Sequence, residues 1–360
     1  MKRRDVLRGV ALAGAAAASF PAPAIAQSTP RIQWRLASSY PKSLDTLYGA
    51  SVEIARRVAE ASDHRFEIRV YAGGEIVPGL QVLDAVQNGT VQCGHSASYF
   101  YVGKDPTFAF DTAIPFGLNT RQQNAWLYHG GGLPLLRAFF KTYNVVNFPA
   151  ANTGTQMGGW YRKEIRSVDD LQGLKMRIGG LAGQVVSKLG VIPQQIAGGD
   201  IYPALDKGAI DAVEWSGPYD DEKLGFYKVA PHYYYPGWWE GTANVSLLVN
   251  LDEWNRLPKR YQAILEQSAA AANLSSTAKY DVLNPPAAKR LIAAGAQFRP
   301  FPAEVMEAAY KVAFDLYKET AETNAKFANI YHNWMQFRTD MLSWWRVAEF
   351  NFDYFALSHR

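Results

Sequence analysis

Between Arg31 and Cys93 the apolar period of the chain switches from two to about 3.6 and back, twice. Ile32, Trp34 and Leu36 alternate with Arg31, Gln33 and Arg35, the pattern of a half-buried strand. Asp45 to Ser62 follows with Leu47, Ile54 and Val58 at helical spacing, and Phe66, Ile68 and Val70 then alternate again. Leu80 to Asn88 is helical and stops at Gly89, and Val91 to Cys93 completes a third strand. Strand–helix–strand–helix–strand restricts the chain to an α/β fold with parallel pairing. In such sheets ligands sit beyond the carboxyl ends of the strands, which places Ser38, Ser39, Ser96 and Tyr99 around one crevice.

A chain of 360 residues with 48% hydrophobic and 19% charged content is long enough for two domains and apolar enough to fill both cores. Its net charge of +4 is concentrated at the start, where Lys2, Arg3, Arg4 and Arg8 stand against Asp5. The rest is close to neutral, which excludes a nucleic-acid footprint built on a clustered basic face. The same segment reads as an export signal over 1–26: a twin-arginine-like basic start, an Ala-rich apolar run from Val10 to Phe20 too short to span a bilayer, and Ala24-Ile25-Ala26 as the cleavage pattern. Export with no later run of transmembrane length points to a soluble periplasmic protein. Cys93 is the single cysteine, so no intramolecular disulfide can form; its neighbours mark it as a core residue.

A change of domain falls near Ala151, after a strand over Asn144 to Phe148. The layout expected is a first lobe over 27–150 with a returning segment at about 240–275, a second lobe over 151–239 with part of 276–330, and a C-terminal docking helix over 331–360. In the second lobe Leu174, Met176 and Ile178 alternate with Lys175, Arg177 and Gly179, so Arg177 faces away from the apolar set. An arginine there is either solvated or, given the glycines that follow and permit close backbone approach, part of a pocket. Glu214 closes an apolar strand beside Trp215, and Glu240 follows Trp238 and Trp239. Carboxylates tucked against large aromatics must be paired or metal-bound. One cation and several acids among aromatics suit a closed pocket for a small anion.

Farther on, Pro258 to Leu283 reads as a long helix ended by Pro285-Pro286, and Ala303 to Phe327 as another. The helical tail from Tyr331 to Phe355 carries more large apolar groups than one face can bury, which points to docking across the lobes or onto a second subunit. Asp220-Asp221-Glu222 reads as a solvated turn or helix start, and Gly130-Gly131-Gly132 as a loop or helix boundary. The six histidines show no metal spacing, and no nucleophile elbow, phosphate loop or dinucleotide fingerprint is present, so no catalytic set emerges.

Leu171-Gln172-Gly173-Leu174-Lys175-Met176-Arg177 resembles the most recognisable motif of the periplasmic solute-binding proteins of TRAP transporters, the DctP-type family. The resemblance covers essentially the whole chain after the signal. Gly198-Gly199-Asp200-Ile201-Tyr202-Pro203-Ala204-Leu205, Glu214-Trp215 and Tyr233 to Glu240 are similar to the branch that binds 2-oxo acids. The resemblance implies two α/β lobes closing on a ligand in the cleft between them, joined by crossing strands and a long helix. It implies that Arg177 grips the ligand carboxylate with both arms of its guanidinium. It also implies that Gln156, Glu214, the backbone carbonyl of Trp215 and Glu240 surround a cation bound with the ligand, Na⁺ or Ca²⁺ given the all-oxygen set. Asn152, Tyr99 and Tyr101 are further pocket candidates. The expected ligand is a pyruvate-like 2-oxo monocarboxylate, with a 2-hydroxy acid such as lactate as the alternative. The expected partners are the small and large permease subunits, with homodimerisation through the C-terminal helix; a ligand sensor for a signalling partner is the rival class, and no enzymatic activity is expected.

Overall fold

The alternation at the start of the chain folds as its period dictates. In the computed structural model, which describes residues 30–359, β1 (Ile32–Ser38), β2 (Phe66–Tyr71) and β3 (Cys93–Ser96) form one edge of a five-stranded sheet. The helix Leu47–Ala61 joins β1 to β2 and buries Leu47, Ile54 and Val58. β3 runs parallel to β1, with Leu36 opposite Cys93. The export segment and its cleavage pattern lie outside the described residues.

The remaining strands divide between two sheets. After β4 (Val145–Asn152) come β5 (Trp160–Tyr161), β6 (Lys175–Arg177), β7 (Ile192–Gln194), β8 (Ala212–Val213), β9 (His232–Tyr235), β10 (Asn244–Asn250) and β11 (Gln297–Pro300). The first sheet has the order β2-β1-β3-β10-β4, and the second has β11-β9-β5-β8-β6-β7. β10 returns from the second half and inserts antiparallel between β3 and β4, every residue buried. The chain therefore crosses between the halves after β4, before β10, and again along the helix Lys259–Ala293, which packs on β4, on the helix Leu47–Ala61 and on the helix Pro218–Leu224. These crossings are the two-lobed architecture expected from the sequence.

Three local expectations are corrected. Pro285 and Pro286 do not end the long helix, which continues to Ala293. Both prolines are solvent-exposed, as are Asp281 and Val282, whose carbonyls lose their helical donors and can turn to water. Ala287 and Leu291 are buried and hold the continuation against the core. Conversely, the helix read over Ala303 to Phe327 stops at Thr323. Asn324 leaves helical geometry (φ −127°, ψ 104°) and accepts from the amides of Lys326 and Phe327, capping the next helix, Ala325–Val347. Finally, Asp220 and Asp221 do start a helix but are fully buried, not solvated. Thr46 and Tyr280 donate to Asp220 (2.6 Å each), while Trp160 (2.9 Å) and Tyr233 (2.7 Å) donate to Asp221.

The tail is Ala325–Val347 followed by Glu349–Leu357. Phe327, Ile330 and Trp334 bury into the first half. Beyond them Trp344, Val347, Phe350, Phe352, Tyr354, Phe355 and Leu357 all face solvent, Phe352 with 74% of its surface.

Candidate ligand and cation site

Arg177 is the last residue of β6, and both faces of that strand are covered: Met176 and Arg177 are each 1% exposed. Alternation put Arg177 opposite the apolar face, but in a parallel sheet packed on both sides the opposite face is also interior. The register pairs Arg177 with Val213, so Glu214 arrives at its side as β8 ends. Nη1 of Arg177 donates to the carbonyl of Glu214 (2.6 Å) and to its Oε2 (2.7 Å), while Nε donates to the carbonyl of Ile196 (3.3 Å). The guanidinium carbon stands 4.9 Å from the centre of the Trp215 ring. Nε and Nη1 are thus engaged by the protein, and among the described residues Nη2 makes no protein hydrogen bond.

The acids are held by backbone. Gln156 donates its amide to the carbonyl of Glu240 (3.1 Å), Gly237 donates to the carbonyl of Gln156 (2.9 Å), and Met157 donates to the carbonyl of Ser216 (2.8 Å). The crossover after β4, the loop after β8 and the loop before β10 are thereby fastened together around one point. Side-chain oxygens on each loop are buried there without a hydrogen-bond partner among the described residues: Oε1 of Gln156, Oε1 of Glu214 and Oε2 of Glu240. Burial raises Glu214 to about 7 despite the neighbouring Arg177, and Asp221 adds to the rise. Burial, then the charge of Glu214, holds Glu240 well above the usual carboxylate range. Counted formally, Arg177, Glu214 and Glu240 leave one negative charge uncompensated.

Three unpartnered oxygens, two of them carboxylate, fit a hard cation and not a thiolate- or imidazole-seeking metal. Among the described residues no group of three or more His, Cys, Asp or Glu could hold a metal ion; this set has two acids and is completed by an amide. Next to it lies a small interior cavity walled by Tyr40, Leu47, Ala97, Tyr99, Ala243 and Val245. Tyr99, from the first half, lies against Gly179 and Gly180 of the second; a Cβ on Gly179 would come within 2.8 Å of the Tyr99 ring. Nε2 of Gln195 donates across to the carbonyl of Phe100 (2.8 Å). A larger depression beside β2 is open to solvent; of its arginines, Arg35 donates from Nη2 to the carbonyl of Thr90 (2.6 Å), Arg56 pairs with Glu53 and Glu60, and Arg69 lies over the Tyr71 ring.

Of the residues expected at the site, Arg177, Glu214, Trp215, Glu240, Gln156 and Tyr99 come together. Tyr101 does not: its hydroxyl is 2.8 Å from Ser96 Oγ and accepts from the Leu83 amide (3.1 Å). Ser39 and Ser96 do meet, at 2.7 Å, and with Tyr101 they form a closed hydroxyl chain beneath the crevice. Asn152 works as a joint. Its Oδ1 accepts from Thr120 (3.0 Å), Thr242 (2.6 Å) and the Gly154 amide (2.9 Å), and its backbone amide donates to Ser276 (2.9 Å) of the long helix. Tyr40, Leu47 and Thr153 were missed. Only Tyr40 carried a signal, directly after Ser38 and Ser39, which the strand end places at the crevice.

The sequence model of DctP, the bacterial extracellular solute-binding protein family 7, matches residues 37–324. The chain belongs to this family. DctP proteins are receptors of TRAP transporters; they bind small solutes outside the cytoplasm and act with membrane permease components. The monocarboxylate 2-oxoacid-binding periplasmic protein of Nostoc sp. is 52% identical over 363 residues, spanning 99% of this chain and all of that protein. A TRAP solute-binding protein from Bordetella bronchiseptica superposes with a TM-score of 0.91 at 53% identity, covering 92% of this chain and 98% of that one. It is a dimer with copurified calcium and picolinate in one active site and none in the other. A third, from Pseudoalteromonas atlantica, holds sodium and pyruvate (TM-score 0.87, 37% identity, covering 89% and 98%). No described helix of the present chain is long and apolar enough to cross a membrane.

Proposed function

We propose that this TRAP receptor binds a small 2-oxo monocarboxylate of the pyruvate type together with Na⁺ or Ca²⁺, and delivers the acid to the permease. The observation that carries the reading is the placement of three buried, unpartnered oxygens on Gln156, Glu214 and Glu240 beside a guanidinium with Nη2 unclaimed. Nη2 of Arg177 would take one carboxylate oxygen in a charge-assisted bond. Gln156, Glu214, Glu240 and the carbonyl of Trp215 would hold the cation, which supplies a chelating charge for the carboxylate and the adjacent oxygen. Tyr40, Leu47, Ala97, Ala243 and Val245 would wall the substituent and exclude water. The relatives from Nostoc, Bordetella and Pseudoalteromonas, whose ligands are a 2-oxo acid or a chelating carboxylate, support this assignment.

Calorimetric titration of metal-stripped protein with pyruvate, with and without Na⁺ or Ca²⁺, tests it. Binding that requires the cation is expected, with lactate weaker. Equal binding without any cation would overturn the cation half, and preference for lactate would move the ligand to the 2-hydroxy acids. The exposed apolar tail over 344–357 further supports a homodimer formed through the C-terminal helices.

A further inference from the structure

We infer that Thr153 is a positioning residue that fixes which face Gln156 shows to the cavity, and thereby sets the affinity of the site for its cation; this rests on the cation reading above. A threonine hydroxyl has one hydrogen and two lone pairs. In Thr153 all are committed: Oγ1 donates to the carbonyl of Gly154 (2.9 Å), accepts from the amide of Ala243 (3.2 Å) and accepts from Nε2 of Gln156 (3.1 Å). With its hydrogen given to Gly154, Oγ1 can face only the NH₂ end of the Gln156 amide. The oxygen end is therefore turned the other way, and Oε1 is the buried atom left without a partner.

The hydroxyl is itself held from both sides. The Thr153 amide donates to the carbonyl of Ala243 (3.2 Å), fastening the end of β4 to the start of β10. Neighbouring hydroxyls do not duplicate the role: Thr155 donates to Gly241 (2.9 Å), and Ser216 Oγ is unpartnered. Without the acceptor at Thr153, the amide of Gln156 is free to rotate and present hydrogens where a cation needs an oxygen. Loss of such supporting bonds typically costs 10–100-fold in metal affinity.

The test is calorimetric titration with Ca²⁺ in the presence of fixed pyruvate, on metal-stripped wild type and on Thr153→Val, Thr153→Ser, Gln156→Ala and the Thr153→Val/Gln156→Ala pair. Thr153→Val is expected to weaken Ca²⁺ binding about tenfold or more, Thr153→Ser to restore it, and Thr153→Val to add nothing once Gln156 is alanine. Thr153→Ala, which leaves room for a water at the Ala243 amide, is carried alongside so that the result does not hang on valine being tolerated. Wild-type affinity in both Thr153→Val and Thr153→Ala overturns the inference alone. An equal loss with and without Gln156 also overturns it, because the effect would then be structural. Failure of the wild type to bind Ca²⁺ or Na⁺ at all removes the cation reading and this inference with it.

Discussion

The ion pair of Arg177 and Glu214 is almost wholly inside the protein, its atoms 2.7 Å apart. Its removal from one side leaves a buried charge unanswered, which costs about 3–5 kcal/mol. Arg177→Ala is therefore expected to lower the melting temperature as well as abolish ligand binding, whereas loss of binding with unchanged melting would mean that Glu214 takes up a proton without strain. Asp221 makes a second prediction. Burial raises it to about 7, although Tyr233, Trp160 and the Ser216 amide all donate to it. Between about pH 4 and 7 the folded protein holds a proton that the unfolded chain has released, so folding stability falls as pH rises through that window and levels off above it. Asp220, raised to about 6, pushes the same way. Melting temperatures from pH 4 to 8 should slope less in Asp221→Asn than in wild type; parallel curves would mean that Asp221 is ionised throughout. The sequence misplaces these acids because a run of three acids has no periodicity to betray burial; what hides them is Tyr280, Thr46 and Trp160, all distant in the chain. Arg177, by contrast, was legible through its motif, and Glu214 and Glu240 through their oddity beside tryptophans.

At the scale of elements, β6 and the helix Gly180–Lys188 approach the first half closely where Gly179 and Gly180 receive the Tyr99 ring. Gly179 has an ordinary backbone geometry (φ −104°), so an alanine there is not strained in itself; its methyl would meet Tyr99 at 2.8 Å. Overpacking of this kind costs about 1–3 kcal/mol, and here it falls on the contact between Tyr99 and the Gly179-Gly180 turn beside the site. Gly179→Ala is expected to weaken pyruvate binding roughly tenfold or more at nearly unchanged melting temperature, measured by titration and calorimetric scan. Unchanged affinity would show that Tyr99 yields at no cost. The strands that build these halves were readable where alternation runs unbroken, as in β1 and β2. The long helix was readable up to Leu283 but not its continuation to Ala293, because Pro285-Pro286 is a stop signal in sequence and only its exposed setting, with Ala287 and Leu291 anchored beyond it, shows why the helix survives.

For the molecule as a whole, the tail is pinned to its own protomer by Arg121, which pairs with Glu349 at 2.5 Å and lies over Trp345 at 4.6 Å, yet the ring-bearing residues beyond remain bare. Sedimentation of the mature chain at micromolar concentration is expected to give a dimer, and removal of 349–360 a monomer with unaltered ligand affinity. A monomeric full-length chain would assign the tail to another partner.

The one uncompensated negative charge in the buried set has a consequence at this scale too. With both glutamates ionised, an acid arriving alone would double that charge; Ca²⁺ arriving with it would leave the set neutral and Na⁺ would return it to a single negative charge. Each must then raise the affinity for the other by the same factor. The receptor would respond to the product of two concentrations, falling silent toward its acid in dilute water and regaining it when salts return.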